Sequence, residues 1–363
     1  MLIALCLSAL GCNPSQPPAA ERSTSRAVPA DPTVAANPAP QPTLPPPPGA
    51  ASASAQPARE ATLVLATIAD NPQEGKDKDA EAAQLLPFLV QKLGAYGITH
   101  AKLVYCHNPA ELAQWIKEGI VDIVDESPFA SYIAHRLSGA SEVILNRWKN
   151  YNEKFGGVLF TRADSPIKKL DDLKGKLIAF RGDTSTTQYF LQKVQLIKQG
   201  YKLVEVASPT AAKVGPNEIG YYFAWSSRDK VTEDVFDGLA AAGGNSDEFI
   251  EKLLGHYGTE QGGKSRHPRA GAPQIKLADL RVIARSPLVT RRVVTVRTSL
   301  DPKLKTAIKD LLLGLEASEE GRAILKSFGP AKKFTAVDEA TAYAGIADQG
   351  ELIESEVARF TKQ

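Results

Sequence analysis

Short apolar runs alternate with amphipathic stretches along most of the chain. Apolar runs typical of buried strands occupy residues 62–68, 101–106 and 120–124. Between them, residues 80–93 and 110–118 repeat apolar side chains at the three- and four-residue spacing of an amphipathic helix. Because strands joined through helices pair side by side in parallel, this order predicts an open sheet with helices on both faces.

A second series of the same kind follows and ends in helices. Further strands are predicted at residues 156–162, 177–180, 202–207, 219–225, 239–243, 280–285 and 293–297. Asp301 followed by Pro302 is a typical helix start, and the chain from Asp338 onward has a helical, amphipathic pattern. Pro87, inside the first helical pattern, indicates either a kink or a late helix start.

The turn after the predicted strand at 177–180 carries four neighbouring hydroxyls. They belong to Thr184, Ser185, Thr186 and Thr187. A helical pattern follows, and Gly200 stands where that helix would end. The start of a helix has unpaired backbone N–H groups and partial positive charge, which favour an oxyanion. Ser185 and Gln188 also fit the Ser-x-x-Gln capping box, so a purely structural role is the alternative.

Polar residues follow other predicted strands as well. They are Asp70 and Asn71 after the first strand, Glu126 and Ser127 after the third, and Asp247 after the strand at 239–243. In open α/β sheets, ligands bind beyond the C-terminal ends of the strands. We therefore expect these residues and the hydroxyl-rich turn to lie near a binding site.

The first 60 residues differ in composition from the rest of the chain. Residues 2–10 are apolar apart from one serine and too few to span a bilayer, which is typical of a signal-peptide core. Residues 9–12, Ala-Leu-Gly-Cys, resemble a bacterial lipoprotein processing site with Cys12 as the lipidated residue; an ordinary secretory signal is the alternative. Residues 13–60 are rich in Pro, Ala, Ser and Thr and predict an extended linker. We assign residues 1–12 to a signal peptide.

Charge and chemistry exclude several classes of protein. The 363 residues carry a formal net charge of +2 with both signs mixed, so neither nucleic-acid nor membrane-surface binding is implied. Cys106 is alone in the folded body and is expected to be a small core residue. The five histidines form no Ser-His-Asp, paired-histidine or metal-spaced set. We expect no catalytic residues, no metal and no cofactor.

Several motifs occur in a fixed order along the body. They are LATIADNP at 65–72, GIVDIVDESPFASY at 119–132, SPIKKLDDLKGKLIAF at 165–180, DTSTT at 183–187, the segment 238–249 and the segment 300–329. Together they resemble the substrate-binding proteins of phosphate, phosphite and phosphonate ABC transporters, in which the third motif is a lobe hallmark and the fourth an anion-binding loop. The resemblance covers nearly all of residues 61–335.

The resemblance implies a two-lobed α/β fold of the type II periplasmic binding proteins, each lobe an open, mainly parallel sheet flanked by helices. Lobe 1 would comprise residues 61–160 with 286–363, and lobe 2 residues 161–285. A small oxyanion would bind between the lobes and pass to a permease and ATPase. The implied protein is a monomeric, membrane-anchored periplasmic lipoprotein of a bacterium and not an enzyme.

In this family-based interpretation, Thr184 to Thr187 bind the anion and Ser127 donates from the facing lobe. Arg181 either adds positive charge to the site or is a surface residue. Carboxylates repel a dianion, so Asp70, Glu126 and Asp247 require a separate explanation. They either hold an ammonium group of a zwitterionic ligand or serve as caps and hydrogen-bond partners between lobes.

Other functions remain open from sequence alone. An enzyme on the same fold, a tethered sensor for a signalling partner, and a binder of a sulfonate or other organic anion are the alternatives, because one fold carries many ligands. Residues 256–274, rich in Gly, Pro and basic residues, are expected to form a surface loop.

Overall fold

The computed structural model describes residues 62–69, 71–149, 152–211, 213–225, 228–249, 275–328 and 331–362. The predicted signal peptide, the linker and the segment 256–274 lie outside the described residues, as does Asp70.

Strands and helices alternate through the described chain. The strands are β1 (Thr62–Ile68), β2 (His100–Cys106), β3 (Ile123–Glu126), β4 (Ser141–Lys149), β5 (Lys154–Phe155), β6 (Gly157–Arg162), β7 (Leu177–Phe180), β8 (Lys202–Glu205), β9 (Glu218–Phe223), β10 (Ala242–Ser246), β11 (Leu280–Arg285), β12 (Val289–Thr290), β13 (Val293–Arg297) and β14 (Ala331–Ala336). The α-helices are α1 (Pro72–Ala82), α2 (Leu85–Leu93), α3 (Pro109–Lys117), α4 (Pro128–Ser138), α5 (Leu191–Lys198), α6 (Arg228–Phe236), α7 (Pro302–Leu313), α8 (Glu319–Ser327), α9 (Glu339–Ala342) and α10 (Glu351–Thr361).

Two six-stranded sheets define two lobes. Lobe 1 is built on the order β14-β4-β13-β3-β1-β2, and lobe 2 on the order β11-β6-β10-β7-β9-β8. In lobe 1, β1 pairs in parallel with both β2 and β3. In lobe 2, β7 pairs in parallel with both β9 and β10. Each sheet adds antiparallel strands at its other side, so the two-lobed α/β fold expected from the sequence is confirmed, with mixed sheets.

Two short strands join the lobes. β5 and β12 pair antiparallel, with Val289 opposite Phe155. The chain enters lobe 2 through β5 and leaves it through β12, so this ribbon is the covalent connection between the sheets. Behind it, one apolar core takes side chains from both lobes. Within that core the buried ring of Phe129 stacks on that of Phe190, with centroids 4.2 Å apart.

Several element boundaries differ from the sequence-based expectation. The helix expected at 80–93 is two helices that break after Ala82, and Pro87 lies in the first turn of the second, where its missing N–H costs nothing. Asn71 is the N-cap of α1, and Pro72 is its first residue. Strands β4 and β14 were not predicted; they complete the lobe 1 sheet by antiparallel pairing.

Two strand predictions were displaced by about three residues. The third strand was expected at 120–124 but spans 123–126, and the strand expected at 239–243 spans 242–246. In each case pairing with distant strands sets the register, with Val293 opposite Glu126 and Ser246 opposite Gly157. Glu126 therefore lies within its strand. Cys106 is buried at the end of β2, as expected of a core residue.

Candidate functional site

A cleft of about 440 Å³ lies between the two lobes. Lobe 1 lines it with the ends of β1 and β3 and with α1, and lobe 2 lines it with the turn after β7. Its described lining is polar and charged apart from Ile68, Phe155 and a glycine, Gly182. A cleft of this kind fits a hydrophilic solute held by hydrogen bonds and charge, and lacks the apolar wall that most drug-like ligands need.

The starts of three helical segments meet at this cleft. Asn71 caps α1 by accepting from the Glu74 N–H at 3.0 Å, and Ser185 caps the segment from Thr186 by accepting from the Gln188 N–H at 3.2 Å. Ser127 is the N-cap position of α4, and no cap bond from its hydroxyl to that helix occurs within the described residues. Three positive dipole ends at one cavity favour an anion there.

The hydroxyl-rich turn lies in the cleft, and its four members differ in burial. Thr184 and Ser185 are half-buried, whereas Thr186 and Thr187 are buried, although all four line the cleft. The helix after Ser185 opens with a π-type turn, Thr186–Phe190, before α5. Such a turn is often found at functional sites because the extra residue redirects side chains.

The turn is held from both lobes. The Phe129 N–H at the start of α4 donates to Thr186 Oγ1 at 3.0 Å across the cleft. Within lobe 2, Gln192 Nε2 of α5 donates to the Thr187 carbonyl at 3.2 Å. Thr186 therefore joins the lobes, and the side chains of Thr184 and Ser185 are more exposed than those of Thr186 and Thr187.

Glu126 is buried at the lobe 1 end of the cleft. Its carboxylate accepts from the Thr67 hydroxyl and from the N–H groups of Ile68 and Ser127, both at 2.8 Å. Burial opposes its ionisation, but Arg292 and Lys78 outweigh that effect and lower the pKa of Glu126. These bonds fasten the end of β1 to the end of β3, which favours the hydrogen-bonding interpretation of this carboxylate over an amine site.

The neighbouring Asp125 is paired with two arginines. Arg147 Nε lies 2.6 Å from one carboxylate oxygen of Asp125, and Arg292 Nε lies 3.0 Å from the other. Burial opposes ionisation here too, yet the two guanidinium groups lower the pKa of Asp125. The negative charge of Asp125 is thus compensated by side chains of the protein itself.

Of the two remaining predicted carboxylates, Asp247 lies outside the cleft lining and Asp70 lies outside the described residues. Asp247 accepts from the N–H groups of Gly156 and Glu248, both at 2.8 Å, and does not line the cleft. It therefore acts as a structural hydrogen-bond partner next to the interlobe connection. Asp70 and the candidate lipidation residue Cys12 lie outside the described residues.

Arg181 extends into the cleft and pairs with the facing lobe. Its NH2 group lies 2.9 Å from Glu74 Oε2 at the start of α1, and the two side chains are 17% and 24% exposed. The alternative of a surface arginine is therefore wrong. With the Thr186 bond, this ion pair gives a second direct contact between the lobes across the cleft.

Five basic residues of the cleft were not singled out from the sequence. They are Lys78, Arg147, Lys149, Arg291 and Arg292. Lys78 Nζ donates to the Thr67 hydroxyl at 3.2 Å, and burial lowers its pKa in spite of the nearby Glu126. Arg291 pairs with the Glu248 carboxylate. No local motif marks these residues, because they come from α1, β4 and the segment after β12; the adjacent pair Arg291 and Arg292 before a buried strand was the one available signal.

Comparison with solved structures supports the architecture. XAC2383 from Xanthomonas citri, bound to chloride or to ATP, is 23% or 22% identical over 83% of this chain and 99% or 98% of its own, with TM-scores of 0.69 and 0.68. PhnD1 from Prochlorococcus marinus in complex with methylphosphonate is 16% identical over 81% of this chain and 99% of its own, with a TM-score of 0.58. At these identities the similarity establishes the fold.

The described residues contain no helix long and apolar enough to cross a membrane. The sequence model of the periplasmic substrate-binding proteins of phosphonate ABC transporters matches residues 71–343, about three quarters of the chain and both lobes. The chain therefore belongs to the family of periplasmic phosphonate-binding proteins of ABC transporters.

Proposed function

We propose that this protein captures a phosphorus oxyanion, namely phosphate, phosphite or a small phosphonate, in the interlobe cleft and delivers it unchanged to a permease and ATPase. The observation that carries the proposal is the meeting of three helix starts at one polar cleft, at Asn71, Ser127 and Ser185. Helix starts offer N–H groups and positive potential to an anion without adding a mobile cation.

The proposed ligand contacts divide between the lobes. Thr184 and Ser185 donate hydroxyl and backbone N–H groups from lobe 2, and Ser127 donates its hydroxyl from lobe 1. Thr186 and Thr187 hold the turn in place, while Asn71 and Glu126 keep the lobe 1 helix and strand ends in position. Hydrogen bonds to a charged oxyanion are about twice as strong as neutral ones, so a few suffice for selectivity.

The location and partners follow from the same proposal. We assign residues 1–12 to a signal peptide, with Cys12 as the lipid anchor and residues 13–60 as the tether. The folded body would then work as a monomer at the outer face of the inner membrane or elsewhere in the periplasm. The sequence-based boundary between residues 160 and 161 falls inside β6, which pairs within the lobe 2 sheet. We therefore assign residues 157–285 to lobe 2 and residues 61–153 with 291–363 to lobe 1, with β5 and β12 as the connection.

A bulkier phosphoryl anion is the second candidate. The lobes already touch across the cleft at Thr186 and Arg181, yet about 440 Å³ remains between them. A water molecule occupies about 30 Å³ in the liquid, so the space is large for methylphosphonate. XAC2383, which shares the fold, has been solved with ATP. A sulfonate ligand and a sensing role without transport are further alternatives.

Isothermal titration calorimetry tests the proposal directly. Phosphate, phosphite, methylphosphonate, 2-aminoethylphosphonate, a sulfonate and ATP are titrated into the wild-type protein and into the double variant Thr184→Val with Ser185→Ala. We expect one phosphorus anion to bind and the double variant to lose about 1.5–3 kcal/mol of binding free energy for each charge-assisted bond removed. Unchanged affinity in the double variant would exclude the turn as the anion site.

The panel also separates the alternatives. Selective binding of ATP favours the bulkier anion, and binding of the sulfonate alone overturns the phosphorus assignment. A clear preference for 2-aminoethylphosphonate over methylphosphonate would support the alternative in which the carboxylates bind an ammonium group of the ligand. Chemical conversion of any of the phosphorus compounds, followed by phosphorus NMR, would contradict capture without change.

A further inference from the structure

The C-terminal helix α10 contacts both lobes. On the lobe 1 side, Arg136 of α4 donates to both carboxylate oxygens of Glu354 at 2.8 and 3.2 Å. At the C-terminal end of α9, the hydroxyls of Tyr343 and Ser131 are 2.9 Å apart and both side chains are buried. The segment is therefore fixed to α4, the helix whose N-terminus faces the cleft.

On the lobe 2 side, the same helix holds the residues that flank the hydroxyl-rich turn. Arg359 NH2 lies 3.3 Å from Asp183 Oδ2, and Asp183 directly precedes Thr184. At the other end of the turn, the Tyr189 hydroxyl donates to Glu356 Oε1 at 2.8 Å. Both ends of the segment 183–189 are thus attached to one helix.

Burial indicates that these contacts are specific. Glu356 is 1% exposed and Tyr189 is fully buried, although both carry polar groups. Lys193 of α5 also pairs with Glu356 at 2.5 Å, which compensates its charge. Both of these contacts are made by Oε1 of Glu356, and without Lys193 the buried charge would be strongly unfavourable.

We propose that α10 is a further connection between the lobes, in which Arg359 and Glu356 act as positioning residues for the hydroxyl-rich turn. The β5–β12 ribbon joins the lobes at one side of the shared core, and α10 joins α4 to the turn at another. Release of Arg359 from Asp183 lets the turn move relative to the start of α4, and the two donor groups of the site then lose their relative position. The effect on affinity rests on the proposed function.

The test compares Arg359→Gln with Lys362→Gln. Both variants remove one positive charge near the end of α10, but Lys362 is exposed at the last position of the described chain. The first measurement is amide hydrogen–deuterium exchange of residues 183–190, with β1 as the internal reference. We expect faster exchange of 183–190 in Arg359→Gln, unchanged exchange of β1, and wild-type behaviour in Lys362→Gln.

The second measurement is the dissociation constant of methylphosphonate by calorimetry. We expect a loss of about tenfold, equivalent to 1.4 kcal/mol, in Arg359→Gln, with partial recovery in Arg359→Lys. Unchanged exchange at 183–190 overturns the proposal. Faster exchange with wild-type affinity overturns the positioning role. If the wild-type protein binds none of the phosphorus anions, the proposed function fails, and the exchange data still decide whether α10 restrains the turn.

Discussion

The backbone N–H of Phe129 donates to the Thr186 hydroxyl oxygen at 3.0 Å, and this bond joins the first turn of a lobe 1 helix to the lobe 2 turn. Both residues are buried, so neither group can exchange its partner for bulk water. The bond lies beside the stack of Phe129 on Phe190, which continues the contact into the shared core. The bond and the ring stack therefore hold the two lobes in register at the cleft.

Thr186→Val tests this bond, because valine has nearly the same shape and no acceptor. The Phe129 N–H would be left buried without a partner, and we expect a loss of about 1–3 kcal/mol in the free energy of unfolding. Urea denaturation measures it. Thr186→Ser keeps the hydroxyl and serves as the control. Equal stability of the valine and serine variants would show that the bond contributes nothing.

The ion pair between Arg181 and Glu74 is a second contact across the cleft. A double-mutant cycle with Arg181→Gln and Glu74→Gln isolates its energy. Because both side chains are partly exposed, we expect a coupling of only about 0.5–1 kcal/mol at low salt. The coupling should fall as sodium chloride is raised, since screening weakens exposed pairs. A coupling that is insensitive to salt would contradict a partly solvated pair.

Gly157 packs directly against the backbone of the hydroxyl-rich turn. A Cβ atom at this position would collide with the Thr187 carbonyl oxygen and with Gln192 Nε2. Gly157→Ala should therefore lower the free energy of unfolding by about 1–3 kcal/mol through overpacking and should weaken anion binding, because the turn must shift. Denaturation and calorimetry are the measurements.

Gly94→Ala is the matched control for that substitution. Gly94 has a helical φ of −56°, and a Cβ there would meet nothing within 4 Å. We expect unchanged or slightly raised stability, since alanine restricts the unfolded chain more than glycine does. Similar losses in both variants would mean that the effect of Gly157→Ala does not come from contact with the turn.

Asp125 should make stability depend on acid pH. Its pKa is lowered in the folded protein by Arg147 and Arg292 against the opposing effect of burial. The stabilisation is thus present above the unfolded pKa of about 3.9 and is lost as pH falls through the lower folded pKa. Asp125→Asn leaves Arg147 buried without its charge partner, so we expect a loss of about 3–5 kcal/mol at pH 7.

The comparison of Asp125→Asn with the wild type across pH is the decisive measurement. Urea unfolding at pH 7, 4 and 3 should show the difference between the two proteins shrinking as pH falls, because protonation makes the wild-type side chain neutral like the amide. A difference that stays constant between pH 7 and pH 3 would show that Asp125 is not held ionised by its arginines.

The sequence alone determined the order of strands and helices and the place of the hydroxyl-rich turn. Apolar periodicity reports which side chains of one element face a core, and that information is local, so β1, β7, β13 and α7 appear close to where the pattern predicted them. The helix start at Asp301 and Pro302 was equally readable, because capping is a contact within four residues. The two-lobed fold was predicted from the resemblance of the sequence motifs to a known family.

Only the tertiary structure decided the composition of the cleft. Asp125 lies within a strand because β13 pairs with it from more than 160 residues away. Arg147 of β4 and Arg292, which lies between β12 and β13, neutralise its carboxylate. Likewise, the Thr186 hydroxyl lines the cleft and also accepts from a backbone N–H of the facing lobe. Such pairings depend on register and packing between elements distant in the chain, and a one-dimensional pattern of polar and apolar residues carries no information about which of them will meet.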